Sequence, residues 1–419
     1  MKIAVIGAGI VGITTAYELA VDGHEVSVFE RRSAAAEETS FANAGVVAPG
    51  YITPWAAPGM PTRALLSLFK RHAPVRISLP LSLSEMAWMG RWVRCCKLDS
   101  YLTNRARLQR LAFYSRARLD HLTERLELDY DRSQGYLVLL RSEKDRRRVQ
   151  TSLQSLRESG VACEEISADQ VRLLEPALSA DTPFVGAVNL PEDGVANCRQ
   201  FALLLKNQAL RAGVNFEFNT PVHCLDREHA NHIWIKGDSE ARIFDAVVMC
   251  AGQTSAELLR PLGLKIPMVA VYGYSISAAI REPLNAPRSA LMDERYKVAI
   301  SRLGNRVRVA GGAELGGDSA SRRAASIQTL YKVLHDWFPG AAQHSSRESN
   351  VQEWKGARAM LPDGPPLICQ SGRPGLWLNI GHGSSGWALS CGSARLVADL
   401  VAGQAPEIDT EGFGLDRLR

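Results

Sequence analysis

Three glycines near the start of the chain, Gly7, Gly9 and Gly12, stand at GxGxxG spacing between two apolar runs. The first run, Ile3 to Ile6, reads as a short strand. The second, from Ile10 to about Val21, has the periodicity of a helix, and His24 to Phe29 reads as a further strand closed by Glu30. In a strand–turn–helix unit of this kind the first glycine permits the tight turn. The second lets the backbone approach a pyrophosphate, and the third lets helix and strand pack closely. Phosphates then meet the free N–H groups and positive end of the helix, opened here by Ile10 and Val11. Glu30, eighteen residues after Gly12, is placed to accept from a ribose hydroxyl. The pattern predicts a dinucleotide site; a glycine-rich turn with no ligand is the alternative.

Two later junctions repeat the pattern. Leu376 to Ile380 reads as a buried strand, followed by Gly381-His382-Gly383-Ser384-Ser385-Gly386-Trp387 and an apolar periodic run from Ala388 to Val401. Asp245 to Gly252 reads as a strand ending in Ala251-Gly252, with Thr254-Ser255 as a candidate cap for the next helix. Between these junctions, residues 82–127 read as helical. Gly135–Leu140, Tyr272–Ser277, Tyr296–Ser301 and Val307–Gly311 read as strands. The expected architecture is an α/β, Rossmann-like nucleotide domain interleaved with an α+β domain built on a mixed sheet with helices over one side. The expected division gives 1–51, 187–268 and 353–419 to nucleotide binding, and 52–186 and 269–352 to a substrate or cap domain.

At 419 residues and 46% apolar content the chain can bury two sizeable cores. Its net charge of +5 gives no reason to invoke nucleic acid. Eight cysteines are scattered without metal spacing, and adjacent Cys95-Cys96 read as two reduced thiols, which suits a reducing cytosol. No N-terminal signal and no membrane-spanning run are expected, and no metal. Charge is uneven, however: residues 63–118 hold twelve Lys/Arg and two acids, Glu85 and Asp99. Leu65, Leu66, Leu68, Phe69, Met86, Trp88, Met89, Trp92 and Val93 lie in the same segment. Such a mixture suits contact with an anionic leaflet; a helical cap with solvated arginines is the alternative.

Arg31-Arg32 and the small polar run Thr39-Ser40-Phe41-Ala42-Asn43-Ala44-Gly45 resemble the second loop of FAD proteins, which wraps the adenosine and pyrophosphate. With PGYITPWAAPGMP, LFKRHAP, DERYKVAISR, RVRVAGGAE, LPDGPP and NIGHGSSGWALSCGS, they make residues 1 to about 405 similar to the small subunit family of bacterial D-amino acid dehydrogenase. That family falls within the D-amino acid oxidase and glycine oxidase superfamily. The resemblance implies a two-domain FAD enzyme that oxidises the Cα–N bond of an amino acid by hydride transfer to flavin N5. A 2-oxo acid and ammonia follow on hydrolysis, and electrons pass to a membrane quinone. It also implies FAD contacts at Gly7, Gly9, Ile10, Val11, Gly12, Glu30, Arg31, Arg32, Ser40, Asn43, Ala44, Gly45, Val222, Ala251, Gly252, Gly381, Gly383, Ser384, Ser385, Gly386 and Trp387. Flavin attachment is expected to be noncovalent, because the loop Met360-Leu361-Pro362-Asp363 offers no cysteine and Arg31-Arg32 replace any histidine.

Flavin oxidation of an amino acid needs a cation for the carboxylate, for which the fork of arginine is best suited. Arg358 matches the arginine of the superfamily's G-x-R-P motif, with Ala359 replacing the proline. Tyr296 matches a strand tyrosine that bonds substrate carboxylate. Tyr272 and Tyr274 alternate on one strand and so share a side, and Tyr272 stands where relatives carry lysine. Tyr51 is placed near the flavin or the pocket mouth. His382 reads as a flavin-adjacent structural residue rather than a general base, although imidazole is the side chain most able to titrate near neutral pH. Val46 and Ala48, with Tyr272, suggest a less polar pocket for a bulky, apolar or cyclic substrate. Alternatives are a proline, hydroxyproline, glycine or sarcosine type of dehydrogenase or oxidase, and an FAD-carrying accessory subunit that has lost its pocket. The oligomeric state is not legible.

Overall fold

Alternation along the first strand sorts the core into two faces. The computed structural model describes residues 1–67, 72–158, 160–318, 320–342 and 351–418. In Lys2–Ile6, Ile3 and Val5 pack with helices Ile10–Val21, Cys198–Arg211 and Gly386–Val401. Ala4 and Ile6 point the other way, against Leu225, Ile233 and Ile235 of a three-stranded antiparallel sheet. The strand sits inside a six-stranded sheet with the spatial order Leu367–Gln370, Leu376–Ile380, Ala246–Met249, Lys2–Ile6, Glu25–Phe29, Asn215–Glu217. All neighbours are parallel except the pair Leu367–Gln370 and Leu376–Ile380. Fully buried Ile13 and Leu19 hold the first helix down, each stabilising by roughly 1.5–3 kcal/mol.

A second sheet of ten strands carries the other half of the molecule. It is mixed: Ala290–Asp293 runs parallel to Arg132–Leu140 and Val75–Ile77 parallel to Arg306–Leu315, while the other pairs are antiparallel. The strands Gly186–Ala196 and Gln352–Met360 belong to this sheet, although the sequence division places most of their residues with the nucleotide segments. Helices were expected over one side; they cover both. Leu137 and Leu139 pack under helix Ala324–Trp337, whereas Tyr136 and Val138 pack under helix Glu143–Glu158. Period-2 alternation of large apolar residues leaves neither face free of water unless each has its own helix.

Candidate active site

The first turn is built as its glycines require. Gly7 holds φ +104°, and a Cβ on Gly12 would lie 1.9 Å from the Gly7 carbonyl oxygen. A Cβ on Gly9 would meet only the Ser40 Oγ, at 3.5 Å, so the backbone there is open to a phosphate. The Ile10 N–H, at the start of the helix, donates to Ser40 Oγ at 3.0 Å, and half-buried Val11 packs on the helix-side core. Glu30 is anchored from two sides: its carboxylate accepts from the Ala8 and Arg32 N–H groups, each at 2.8 Å. Each carboxylate oxygen has a second lone pair for a sugar hydroxyl. Both neighbouring arginines are spoken for by Glu38, and Arg31 reaches the Thr254 hydroxyl as well. Thr254 consequently provides no side-chain cap to the helix Ser255–Leu259. Gly252 holds φ +53°, and Ala251 and Val222 lean on the core between the two smaller sheets.

A cavity of about 1030 Å³ opens between this unit and the ten-stranded sheet. Of the residues expected at the cofactor, Ile10, Ser40, Asn43, Ala44, Gly45, Gly383, Ser384, Ser385, Gly386 and Trp387 line it. Asn43 Oδ1 accepts from the Gly45 N–H at 2.9 Å, and the Ala44 carbonyl accepts from Ser301 at 2.7 Å. At the far junction Gly381 holds φ +80° and lies over Leu361, outside the cavity wall. Two helix N-termini, at Ile10 and Gly386, thus face one space. The open Gly9 backbone, the Gly12 contact and this pair of positive helix ends fit FAD: the first turn would hold its phosphates, and the second helix end would offer positive potential to its flavin.

Arg358 lies within the strand Gln352–Met360, not in a loop, and pairing runs on through Ala359 to Ala270. The absence of proline therefore leaves the arginine well placed. Gly273 on the neighbouring strand makes room for it: a Cβ there would sit 2.2 Å from Nη2. Nη1 donates to the Gly312 carbonyl at 2.7 Å, and the guanidinium lies 5.7 Å from the centre of the Trp55 ring. No carboxylate pairs with it among the described residues, and burial alone lowers its pKa to about 10.

The tyrosines divide. Tyr296 lines the cavity, but it precedes the strand Val298–Leu303 rather than lying in it. Its ring meets His72 edge-on and lies beneath Arg141 and Lys332. Tyr274 lines the cavity and donates to Glu314, which also takes Ser78 and Lys355. Tyr272 is not among the lining residues; Lys355 lies 4.3 Å from its ring centre. The two rings share the Lys355 side, and the β-bulge beside them puts its extra residue in the neighbouring strand, between Gly311 and Glu314. Tyr51 lines the cavity and donates to Glu294 at 2.5 Å, and burial beside that carboxylate raises its pKa. His382 is buried against Ser393 Oγ at 3.0 Å, and burial lowers its pKa to about 3.

Several lining residues escaped the sequence reading. Trp354 sits two and four residues before Gly356 and Arg358 on one strand face, and period-2 alternation alone would have found it. Trp55 flanks Arg358, and Tyr136 meets Tyr51 edge-on at 5.6 Å. Arg105, on helix Leu98–Arg125, lines the wall as well, hidden in sequence by the arginines around it. Val46 and Ala48 line the cavity with Trp55, Tyr136 and Trp354, so much of the wall is apolar, but Arg105 and Arg358 keep it from being free of charge.

"D-amino acid dehydrogenase" of Cereibacter sphaeroides (strain ATCC 17029 / ATH 2.4.9) is 42% identical over 419 residues, covering 100% of this chain and 95% of that protein. The protein of the same name from Rhizobium johnstonii is 41% identical, with 100% of both covered. Among solved structures, glycine oxidase from Geobacillus kaustophilus superposes with TM-score 0.74 at 22% identity, over 99% of this chain and 98% of that one. L-proline dehydrogenase from P.horikoshii superposes with TM-score 0.73 at 16% identity, over 100% and 97%. A family model described as FAD dependent oxidoreductase matches residues 2–400, and the chain belongs to that family.

Proposed function

We propose that this chain is a D-amino acid dehydrogenase that holds FAD noncovalently and delivers electrons to a quinone. One observation carries the reading: Arg358 is a half-buried arginine with no carboxylate partner among the described residues, facing an aromatic-walled cavity beside the two helix N-termini. An unpaired buried cation is costly, and a substrate carboxylate relieves that cost through a bidentate, charge-assisted pair. The names of the relatives at 41–42% identity point to D-amino acids. Bound FAD supplies the two-electron acceptor for the Cα–N bond.

The chain's own residues bind and orient. Arg358 takes the α-carboxylate, with its fork steadied by Gly312 and Trp55. Tyr296 and Tyr274 border the same space and give it polar edges. Walls such as Trp55, Trp354 and Tyr136 exclude water, and desolvation favours the neutral amine over the ammonium. No side chain is needed as a base on Cα, and His382 is too weakly basic to serve.

The acceptor reading draws on the cavity rim. Met60, Arg63, Ala64 and Leu66 line it, and they continue into an exposed apolar surface. Leu65 is 61% exposed, Leu66 62%, Leu79 81% and Leu83 82%, with exposed Met86 and Val93 beyond. Arg63, Arg91, Arg94 and Lys97 are exposed among them. Four further arginines of the basic segment are consumed internally: Arg107 pairs with Glu411, Arg110 with Asp409, Arg116 with Asp120 and Arg118 with Glu18. Leu68, Phe69, Lys70 and Arg71 lie outside the described residues. Among the described residues no helix is long and apolar enough to cross a membrane, so the contact proposed is peripheral. Vesicles containing an anionic lipid are expected to sediment the protein. Equal recovery with neutral vesicles would remove the electrostatic part of that contact.

The deciding experiment is an anaerobic absorbance titration of the FAD-loaded protein with paired D- and L-amino acids, followed by a water-soluble quinone. D-enantiomers alone are expected to bleach the flavin band, and the quinone to restore it. No bleaching with any amino acid would overturn the reading; restoration by oxygen but not by quinone would make the protein an oxidase.

A further inference from the structure

Among the cations that line the cavity, Arg105 resembles Arg358 in having no carboxylate partner among the described residues. Arg105 is 4% exposed, and its Nε and Nη2 are buried without a hydrogen-bond partner. It lines the same space as Arg358. Tyr101, one helical turn earlier, lines it too, so a guanidinium and a phenol project from one helix face. The neighbours on this helix show what a structural arginine looks like here. Arg107, Arg110, Arg116 and Arg118 each reach a carboxylate, whereas Arg105 reaches none.

The two unpaired arginines stand on different walls. Arg358 is on a strand, beside Trp55 and Gly312. Arg105 is on a helix whose next turn, through Gln109 Nε2, contacts the Gly50 carbonyl at 3.5 Å and so abuts the turn bearing Tyr51. Neither belongs to the Gly7–Gly12 turn that fits the FAD phosphates. A ligand with one carboxylate satisfies one wall and leaves the N–H groups of the other unmade, a cost that a second anionic group removes.

Resting on the amino acid reading above, we propose that Arg105 forms a second anion subsite. It takes the side-chain carboxylate of an acidic D-amino acid whose α-carboxylate lies on Arg358. The preferred substrates are then dicarboxylic D-amino acids of the aspartate and glutamate type, not the apolar or cyclic ones that Val46 and Ala48 suggest.

The test uses non-reacting probes on the FAD-loaded protein: glutarate against butyrate, read through the perturbation of the flavin absorbance band. Glutarate is expected to bind about tenfold tighter or more, the size of one charge-assisted contact. Arg105→Met should abolish the preference and Arg105→Lys should keep part of it. In turnover, the ratio of kcat/KM for D-glutamate over D-alanine should fall about tenfold or more in Arg105→Met. Equal binding of the two probes by the unaltered protein would overturn the proposal even if no variant folds. So would a preference that survives Arg105→Met, or loss of FAD from that variant with the preference intact in the fraction still loaded. A glutarate preference without flavin reduction by any D-amino acid would overturn the assigned reaction and leave the anion subsite standing.

Discussion

Arg395 is buried and Arg358 half-buried, and they do opposite work. Arg395, on the helix Gly386–Val401, bonds Glu18, Asp22 and Asp399, while Arg118 shares Glu18. Those carboxylates raise its pKa despite burial. The cluster ties the first and last helices to the long helix Leu98–Arg125. Arg358 has a backbone carbonyl and a tryptophan face instead, and burial lowers its pKa. One site spends its charge on the fold; the other leaves it unmatched at a cavity wall. The contrast teaches that the partners of a buried arginine, more than its burial, say what it is for.

Substitution at the two positions should separate stability from capture. Arg395→Met leaves Asp22 and Asp399 without their cation and Glu18 with Arg118 alone. It should lower unfolding free energy by about 3–5 kcal/mol, as breaking a buried pair does, and thermal denaturation of the FAD-loaded protein measures it. A melting temperature within a degree or two of the parent would break the comparison. Arg358→Met removes a cation that nothing balances, so its melting temperature should hold or rise. Its kcat/KM should fall by the equivalent of about 2–5 kcal/mol, and unchanged kinetics would take Arg358 out of the site. Because binding needs the charged guanidinium, capture by the unaltered protein should decline as pH rises through about 10.

The smallest expected effect concerns a carboxylate on the opposite side of the same logic. Asp193 is 5% exposed, its Oδ2 has no partner, and burial raises its pKa to about 7. The folded state therefore prefers the neutral acid. The stability this contributes is present below the ordinary carboxylate pKa and is lost as pH rises through about 7. Asp193→Asn should gain on the parent by several degrees in melting temperature between pH 5 and pH 8. Parallel curves would show that the carboxylate finds a partner in solution.

Legibility differed by kind of residue. The strand Leu376–Ile380 and the helix Ile10–Val21 occur within the predicted bounds, because glycine spacing and apolar period are local properties. Arg358 was visible through a motif, and the structure adds the reason it stays unpaired: Gly273 and Gly312, on other strands, make its berth. Tyr272 was expected beside Tyr274 in the pocket; only Tyr274 is among the lining residues. Arg105 could not be told from Arg107 or Arg110, since all three share one helix and differ only in what packs against them.

By itself, then, the sequence determined the dinucleotide turn, the order of strands and helices near it, and the basic segment over residues 63–118. Those follow from spacing, periodicity and charge, which act over a few residues. Only the tertiary structure decided which arginines have carboxylates within reach. Pairing of buried charge depends on segments hundreds of residues apart, such as Glu18 and Arg395, and a charge buried without such a partner is where this molecule is prepared to meet its ligand.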